Sequence, residues 1–328
     1  YASGNWTRQS KALSGPIPGT ALTDLVITAD LFGTEVLGLG GDGVIYRCGR
    51  EAGGVWAPRT GKFPQGTAFV PGSLSAQQLN TSTGFAVAAG SLAPWAAIYR
   101  DNVSKGWKDG FALPNHTGAK FTSLRACPDM SGAGTVHVIG ITSAGSICET
   151  ATVSGGGCGP SQTWVAGSGN LGQSSGLPAF QQVVLVSGDG NGNFHAIGLG
   201  TDGSIWDVDQ FNPSTSAWSR KSTCIVAARQ FTGDKIACYL SSTKSLLLVG
   251  STAGSLSQLA SYAGSWTAVT TPIPAFGLVT NWHLVPNPVT GTNTDAFILG
   301  VANTGLVYEV ADYQAGKWVK GPAGQISG

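Results

Sequence analysis

The chain has 328 residues, a formal net charge of +1, only 11% charged residues, 49 glycines and 10 tryptophans. No basic stripe is present to neutralise phosphates, and no apolar run approaches the ~20 residues of a membrane-spanning helix. Good helix formers are sparse, so the composition points to many short strands joined by tight turns.

The first 19 residues hold a lone tryptophan strand, Gly4-Asn5-Trp6-Thr7, before Pro16 and Pro18 break the pattern. A unit then begins and repeats. In the first copy Leu25-Val26-Ile27 is a short strand and Glu35 to Gly40 a second. Gly41-Asp42-Gly43 turns the chain, Val44 to Arg47 makes a third strand, and Gly54-Val55-Trp56 starts a fourth. The second copy has Phe85-Ala86-Val87, an atypical Pro94-Trp95 turn, Ala97 to Arg100 and Gly106-Trp107. In the third, Val136 to Gly140 turns at Ala144-Gly145 into Ser146 to Glu149 and reaches Trp164. The fourth is the clearest. Phe194 to Gly200 and Ser204 to Asp207 flank Thr201-Asp202-Gly203, and Trp218 follows. An Asp-Gly between two apolar-rich runs is a strong hairpin signal. The fifth copy ends at Trp266 and the sixth at Trp318.

Tryptophans 6, 56, 107, 164, 218, 266 and 318 therefore recur about every 50 residues, a period suited to one four-stranded propeller blade. A single blade cannot bury both of its faces, whereas a ring of them can. The expected fold is an all-β propeller of six blades of about four antiparallel strands, in one domain. The blades span residues 20–70, 71–119, 120–176, 177–228, 229–275 and 276–328, and the 1–19 strand helps to seal the ring. Asp189-Gly190-Asn191-Gly192-Asn193 is not a calcium loop, because Phe194 stands where the EF-hand loop needs glycine; it reads as the turn between two strands.

Polar residues straddle three of the hairpin turns: Glu35 with Arg47, His137 with Glu149, and His195 with Asp207. Each pair is twelve residues apart, which places the two side chains opposite each other if the hairpin is centred between them. Weaker counterparts are Phe297 with Glu309 and Leu246 with Gln258. Such a pair has two meanings. It is either a polar pocket between blades or an ion pair that fixes blade register. Tyr46, Trp206 and Tyr308 each precede the third-strand polar position and alternate onto the other blade face. They are candidate platforms for the C–H surface of a sugar.

The twelve-residue spacing with Thr201-Asp202-Gly203 and Ile147-Cys148-Glu149 resembles the repeat of β-propeller lectins. Six-bladed fungal fucose-binding lectins, tectonins and related propeller lectins share this form. In the fucose-binding family an arginine on the second strand and a glutamate twelve residues later hold the sugar, with aromatics from the next blade. Here the arginine position is His137, His195 or Glu35, so the resemblance implies a lectin whose sugar is not fucose-like. The expected partners are glycans, held by His137, Glu149, His195, Asp207, Glu35, Arg47, Trp206, Tyr46, Tyr308 and Glu309. No nucleic acid, membrane insertion, metal or cofactor is expected.

The competing classes are an enzyme and a protein-interaction scaffold. The enzyme is a propeller polysaccharide lyase or glycosidase, using a His/acid pair at one axial site. The chain starts at Tyr1, as after removal of a leader, and sequons at Asn5, Asn80, Asn102 and Asn115 permit glycosylation, so a secreted glycoprotein is expected. The six cysteines include no Cys-x-x-Cys. Cys148 with Cys158, and Cys224 with Cys238, are candidate disulfides.

Overall fold

A computed structural model describes residues 22–30, 33–42, 44–50, 56–58, 69–80, 83–90, 96–100, 111–115, 118–129, 135–154, 162–172, 176–274, 279–286, 294–302 and 307–321. These residues form antiparallel sheets and contain no helix. The first sheet runs β1 (Leu22–Asp30), β2 (Gly33–Gly40), β3 (Ile45–Arg50) and β4 (Trp56–Pro58). The second shows β5 (Ser75–Asn80), β6 (Thr83–Ala88) and β7 (Ala96–Arg100). The third is β8 (Phe121–Pro128), β9 (Val136–Thr142), β10 (Ile147–Val153) and β11 (Val165–Asn170). In the fourth, β12 (Phe180–Ser187), β13 (Phe194–Gly200) and β14 (Ile205–Asn212) are followed by an outer strand in two pieces, β15 (Ala217–Trp218) and β16 (Thr223–Val226), both paired with β14. The fifth is β17 (Lys235–Leu240), β18 (Leu246–Thr252), β19 (Ser255–Tyr262) and β20 (Trp266–Pro272). The sixth is β21 (Val279–Pro286), β22 (Thr294–Ala302), β23 (Val307–Gln314) and β24 (Lys317–Lys320). Trp6 and Trp107 lie outside the described residues.

Successive sheets meet face to face. Leu37 and Leu39 of the first pack with Ala86 and Ala88 of the second, and Phe85 and Val87 pack with Leu124 and Val138 of the third. Ile139 and Ile141 meet Phe180 and Phe194, Ile197 and Leu199 meet Ile236 and Leu248, and Val249 meets Trp282 and Ile298. A second strand is thus covered from both sides, and every residue of β9 and β13 is buried. That is why these strands read as continuous apolar runs rather than alternating ones. The glycines near the ends of β9 and β13 have a steric cause. A Cβ on Gly198 would lie 2.5 Å from the Phe180 ring, and one on Gly140 would lie 2.7 Å from the Phe121 ring.

Candidate functional site

The site residues are set by the hairpin between second and third strands. In the fourth sheet Leu199 pairs with Ile205, so the hairpin centres on Asp202. Gly203 supplies the positive φ of 78° that the turn needs. The Asp202 carboxylate accepts from the Ser204 amide at 2.9 Å and from the Ser204 hydroxyl at 2.6 Å. The centre falls one residue later than symmetric twelve-residue pairs require. Asp207 therefore stands opposite Ile197, and His195 opposite Gln210. Likewise Glu149 stands opposite Ile139, and Arg47 opposite Leu37. Direct opposition of these pairs is corrected to a diagonal relation, still within reach of long side chains on one face.

His195 and Asp207 meet across that diagonal. The ring Nδ1 lies 2.9 Å from Asp207 Oδ2, and Nε2 lies 3.3 Å from Asp189 Oδ2. All three side chains are buried, His195 completely. Asp189 sits in the turn between β12 and β13, as expected, where Oδ1 accepts the amides of Asn191 and Asn193, each at 2.8 Å. Burial alone would drive the imidazole towards neutrality. The Asp189 and Asp207 carboxylates outweigh it and raise the His195 pKa to about 9. Burial also opposes ionisation of Asp189, but His195 and the loop amides hold its pKa down at about 2. At neutral pH the group is an imidazolium donating to two carboxylates.

The third sheet repeats the arrangement. His137 Nδ1 lies 2.6 Å from Glu149 Oε1, and Nε2 is 3.6 Å from Asp129 Oδ2, an ion-pair distance beyond hydrogen bonding. The second Glu149 oxygen accepts the Ser168 amide at 2.7 Å. Burial opposes both charges, yet the carboxylates raise the His137 pKa, and His137 with Ser168 lowers that of Glu149. Neither Asp129 nor Asp189 was a candidate site residue in the sequence, where Asp189 was read only as part of a turn. Their signal is an acid at the first-to-second strand turn, eight and six residues before the histidine, in the two units whose second strand carries a histidine.

Each pair is closed over by the next sheet. Trp218 packs edge-on to His137 at 5.9 Å, and Trp266 edge-on to His195 at 6.3 Å. Trp164 stacks on Phe85, the equivalent position of the second sheet, at 5.4 Å. In the fifth sheet the hairpin is one residue shorter, so the counterpart facing Gln258 on the diagonal is Leu247 rather than Leu246. Leu247 shares a core cluster with Trp318. Two indoles also bond across the seam: Trp266 Nε1 donates to Asp207 Oδ2 at 2.8 Å, and Trp318 Nε1 donates to Gln258 Oε1 at 2.9 Å. Gln210, another residue the sequence did not single out, donates to Asp207 at 2.8 Å.

The remaining candidates are dispersed. Glu35, Arg47 and Tyr308 lie on β2, β3 and β23, with side chains outside the described residues. Tyr46 is half-buried and donates its hydroxyl to Asp42. Trp206 packs into the seam between third and fourth sheets and donates to Ser204, so it lies on the opposite face from Asp207. Glu309 is buried, and burial together with the neighbouring Asp312 raises its pKa to about 8. The disulfide expected between Cys224 and Cys238 is not formed; both thiols are free. Cys224 is on the outer strand β16 and Cys238 on the first strand of the next sheet. Strand spacings of about 4.8 Å put those positions beyond the ~7 Å that a disulfide spans. Cys158 lies outside the described residues.

No family model matches the chain, and no curated protein matches it. Solved structures do. The BP39L lectin from Burkholderia pseudomallei superposes with a TM-score of 0.67 at 16% identity, over 93% of this chain and 84% of that one. A mutant of the Aleuria aurantia lectin, solved in complex with α-methyl-L-fucoside, gives 0.55 at 17%, over 92% and 96%. AofleA from Arthrobotrys oligospora gives 0.57 at 15%, over 90% and 83%. The chain has the fold of the β-propeller lectins.

Proposed function

We propose that the protein is a secreted carbohydrate-binding lectin: a closed six-bladed ring, sealed by residues 1–19, with blades at the boundaries given above and glycan sites between adjacent blades. The fold it shares with fucoside-binding lectins supports this reading. The observation that carries it is the seam between fourth and fifth sheets. There the acid position meets an indole N–H from the next sheet, Asp207 with Trp266. An aromatic face beside hydrogen-bonding groups is what a sugar ring requires.

In this conformation His195 and Asp207 are enclosed, so the sugar engages the rim, where Trp266 and Gln210 are half-buried. Asp207 and His195 act behind them as positioning residues. Gln258 with Trp318 makes the equivalent bond in the next seam, where the indole is buried and only Gln258 reaches the rim. The histidine stands where the fucose-binding pattern has arginine, so the ligand is a different sugar. Several weak sites around one ring gain strength on a glycan-coated surface through avidity. Oligosaccharide-array binding by the wild type, lost on Trp266→Ala at the affected seam without loss of fold, is the expected result. Absence of binding to any glycan, or turnover of the bound glycan seen as new reducing ends or unsaturated products, would overturn it.

A further inference from the structure

The first strands β5, β8, β12 and β17 surround a cavity of about 520 Å³, the size of a small-molecule site. Neither His137 nor His195 lines it, nor does any carboxylate that binds them. Five consecutive residues of β12, Gln182 to Val186, run along its wall, flanked by Ala126 of β8 and Leu240 of β17. Leu185 sits at the margin of the core between third and fourth sheets, and Val184 and Leu240 at the margin of the next. All three are only half-buried. The apolar surface they leave uncovered is surface that the cavity presents to a ligand.

Almost every polar side chain of the wall is engaged within the protein. Gln182 exchanges two 2.8 Å hydrogen bonds with the Ile236 backbone, and Tyr239 donates its hydroxyl to the Asp295 carbonyl at 2.7 Å. Arg125 Nη1 donates to the Leu124 carbonyl at 2.9 Å, and the Cys127 thiol to the Pro128 carbonyl at 3.6 Å. Burial first, then the Asp207 charge, push the pKa of the Cys238 thiol up, so it stays neutral and packs as a small apolar group. Ser75 differs. It is half-buried on the β5 side of the wall, and its hydroxyl makes no hydrogen bond to a described residue.

Each class of ligand loses something different on entering such a wall. A carboxylate or an ammonium group gives up its hydration and finds no uncommitted charge in the described lining. A sugar sets several hydroxyls against valine and leucine, where they stay unpaired. An alkyl chain with a single hydroxyl loses least, because the chain covers Val184, Leu185 and Leu240 while the hydroxyl has Ser75 to meet. We propose that the cavity binds a medium-chain aliphatic alcohol, its hydroxyl on Ser75 and its chain along β12 and β17. This site is separate from the seams and stands whether or not they bind glycans.

Isothermal titration of the full chain with 1-hexanol, 1-octanol and 1-decanol tests the assignment. Binding is expected to be one-to-one and to tighten about fourfold with each added methylene, the gain that burying a CH₂ group brings. Octanoate and octylammonium are expected to bind no more tightly than 1-octanol. Ser75→Ala is expected to weaken all three alcohols alike, by about fivefold, the worth of one hydrogen bond. Ser75→Trp, which puts bulk into the lining, is expected to abolish binding. No binding of 1-decanol, affinity that does not rise with chain length, or octanoate binding tighter than that of 1-octanol overturns the proposal without reference to any variant. So does 1-decanol binding that survives in a folded Ser75→Trp protein, or an affinity that Ser75→Ala leaves unchanged.

Discussion

Replacing His195 by leucine tests what the buried triad contributes, and the protein holds its own control. The fifth sheet carries Leu247 and Gln258 where the fourth carries His195 and Asp207, with Trp318 donating to Gln258 as Trp266 donates to Asp207. His195→Leu alone strands two buried carboxylates. Breaking a buried ion pair costs about 3–5 kcal/mol. Asp207 keeps bonds from Gln210 and Trp266, each at 2.8 Å, which places the loss near the lower limit. The protonation equilibrium gives a similar figure. Holding the imidazole pKa at about 9 instead of 6.5 is worth roughly 3 kcal/mol at a pH below both values. Asp207→Gln alone leaves His195 with Asp189 and costs about 2 kcal/mol. The double variant His195→Leu/Asp207→Gln rebuilds the fifth-sheet seam. It is expected to cost no more than His195→Leu alone, a favourable coupling of about 2 kcal/mol. Urea unfolding at pH 6, read as a change in midpoint at constant slope, supplies the four stabilities. Losses that add to within about 0.5 kcal/mol would refute the reasoning, because independent sites behave that way.

Two further outcomes follow from the protonation equilibria. His195 is raised on folding, so its contribution is complete below pH 6.5 and disappears as the pH rises through about 9. Unfolding midpoints of the wild type should fall over that interval, and those of the His195→Leu/Asp207→Gln variant should fall less; parallel profiles would contradict the assignment. Glu309 is also raised, to about 8, by burial and Asp312, so ionising it destabilises the fold as the pH climbs from 4.5 through 8. Glu309→Gln should therefore gain on the wild type at pH 9 relative to pH 5 in the same assay; an equal difference at both pH values would count against the raised Glu309 pKa.

The repeat was legible because every seam poses the same packing problem. Trp164, Trp218, Trp266 and Trp318 each cover the preceding sheet, so the indole returns at the blade period whatever else drifts. The pairing of His137 with Glu149 and of His195 with Asp207 was legible from spacing alone. Their burial was not. Burial depends on Phe211 and Trp218 over one ring and Tyr262 and Trp266 over the other, and these residues enter from the adjoining sheet. Register also escaped, because a hairpin centred on Thr201 and one centred on Asp202 have the same sequence. The side-chain bonds of Asp202 to Ser204 and the positive φ of Gly203 go with the second.

Drift at the second-strand position is therefore coupled to the acid position and not to the tryptophan. Where histidine is present, as at 137 and 195, a carboxylate faces it and an acid waits in the preceding turn. Where leucine replaces it, at 247, the facing residue is the neutral Gln258. The sixth sheet is the exception that tests the rule. Phe297 takes the histidine position, yet the acid position keeps a buried carboxyl, Glu309. Burial and a neighbouring carboxylate both favour the protonated form of such a group. The pKa of about 8 beside Asp312 follows from the two together. In the third, fourth and fifth sheets the second-strand residue and the acid position thus change together, while the tryptophan of the next sheet covers each of them.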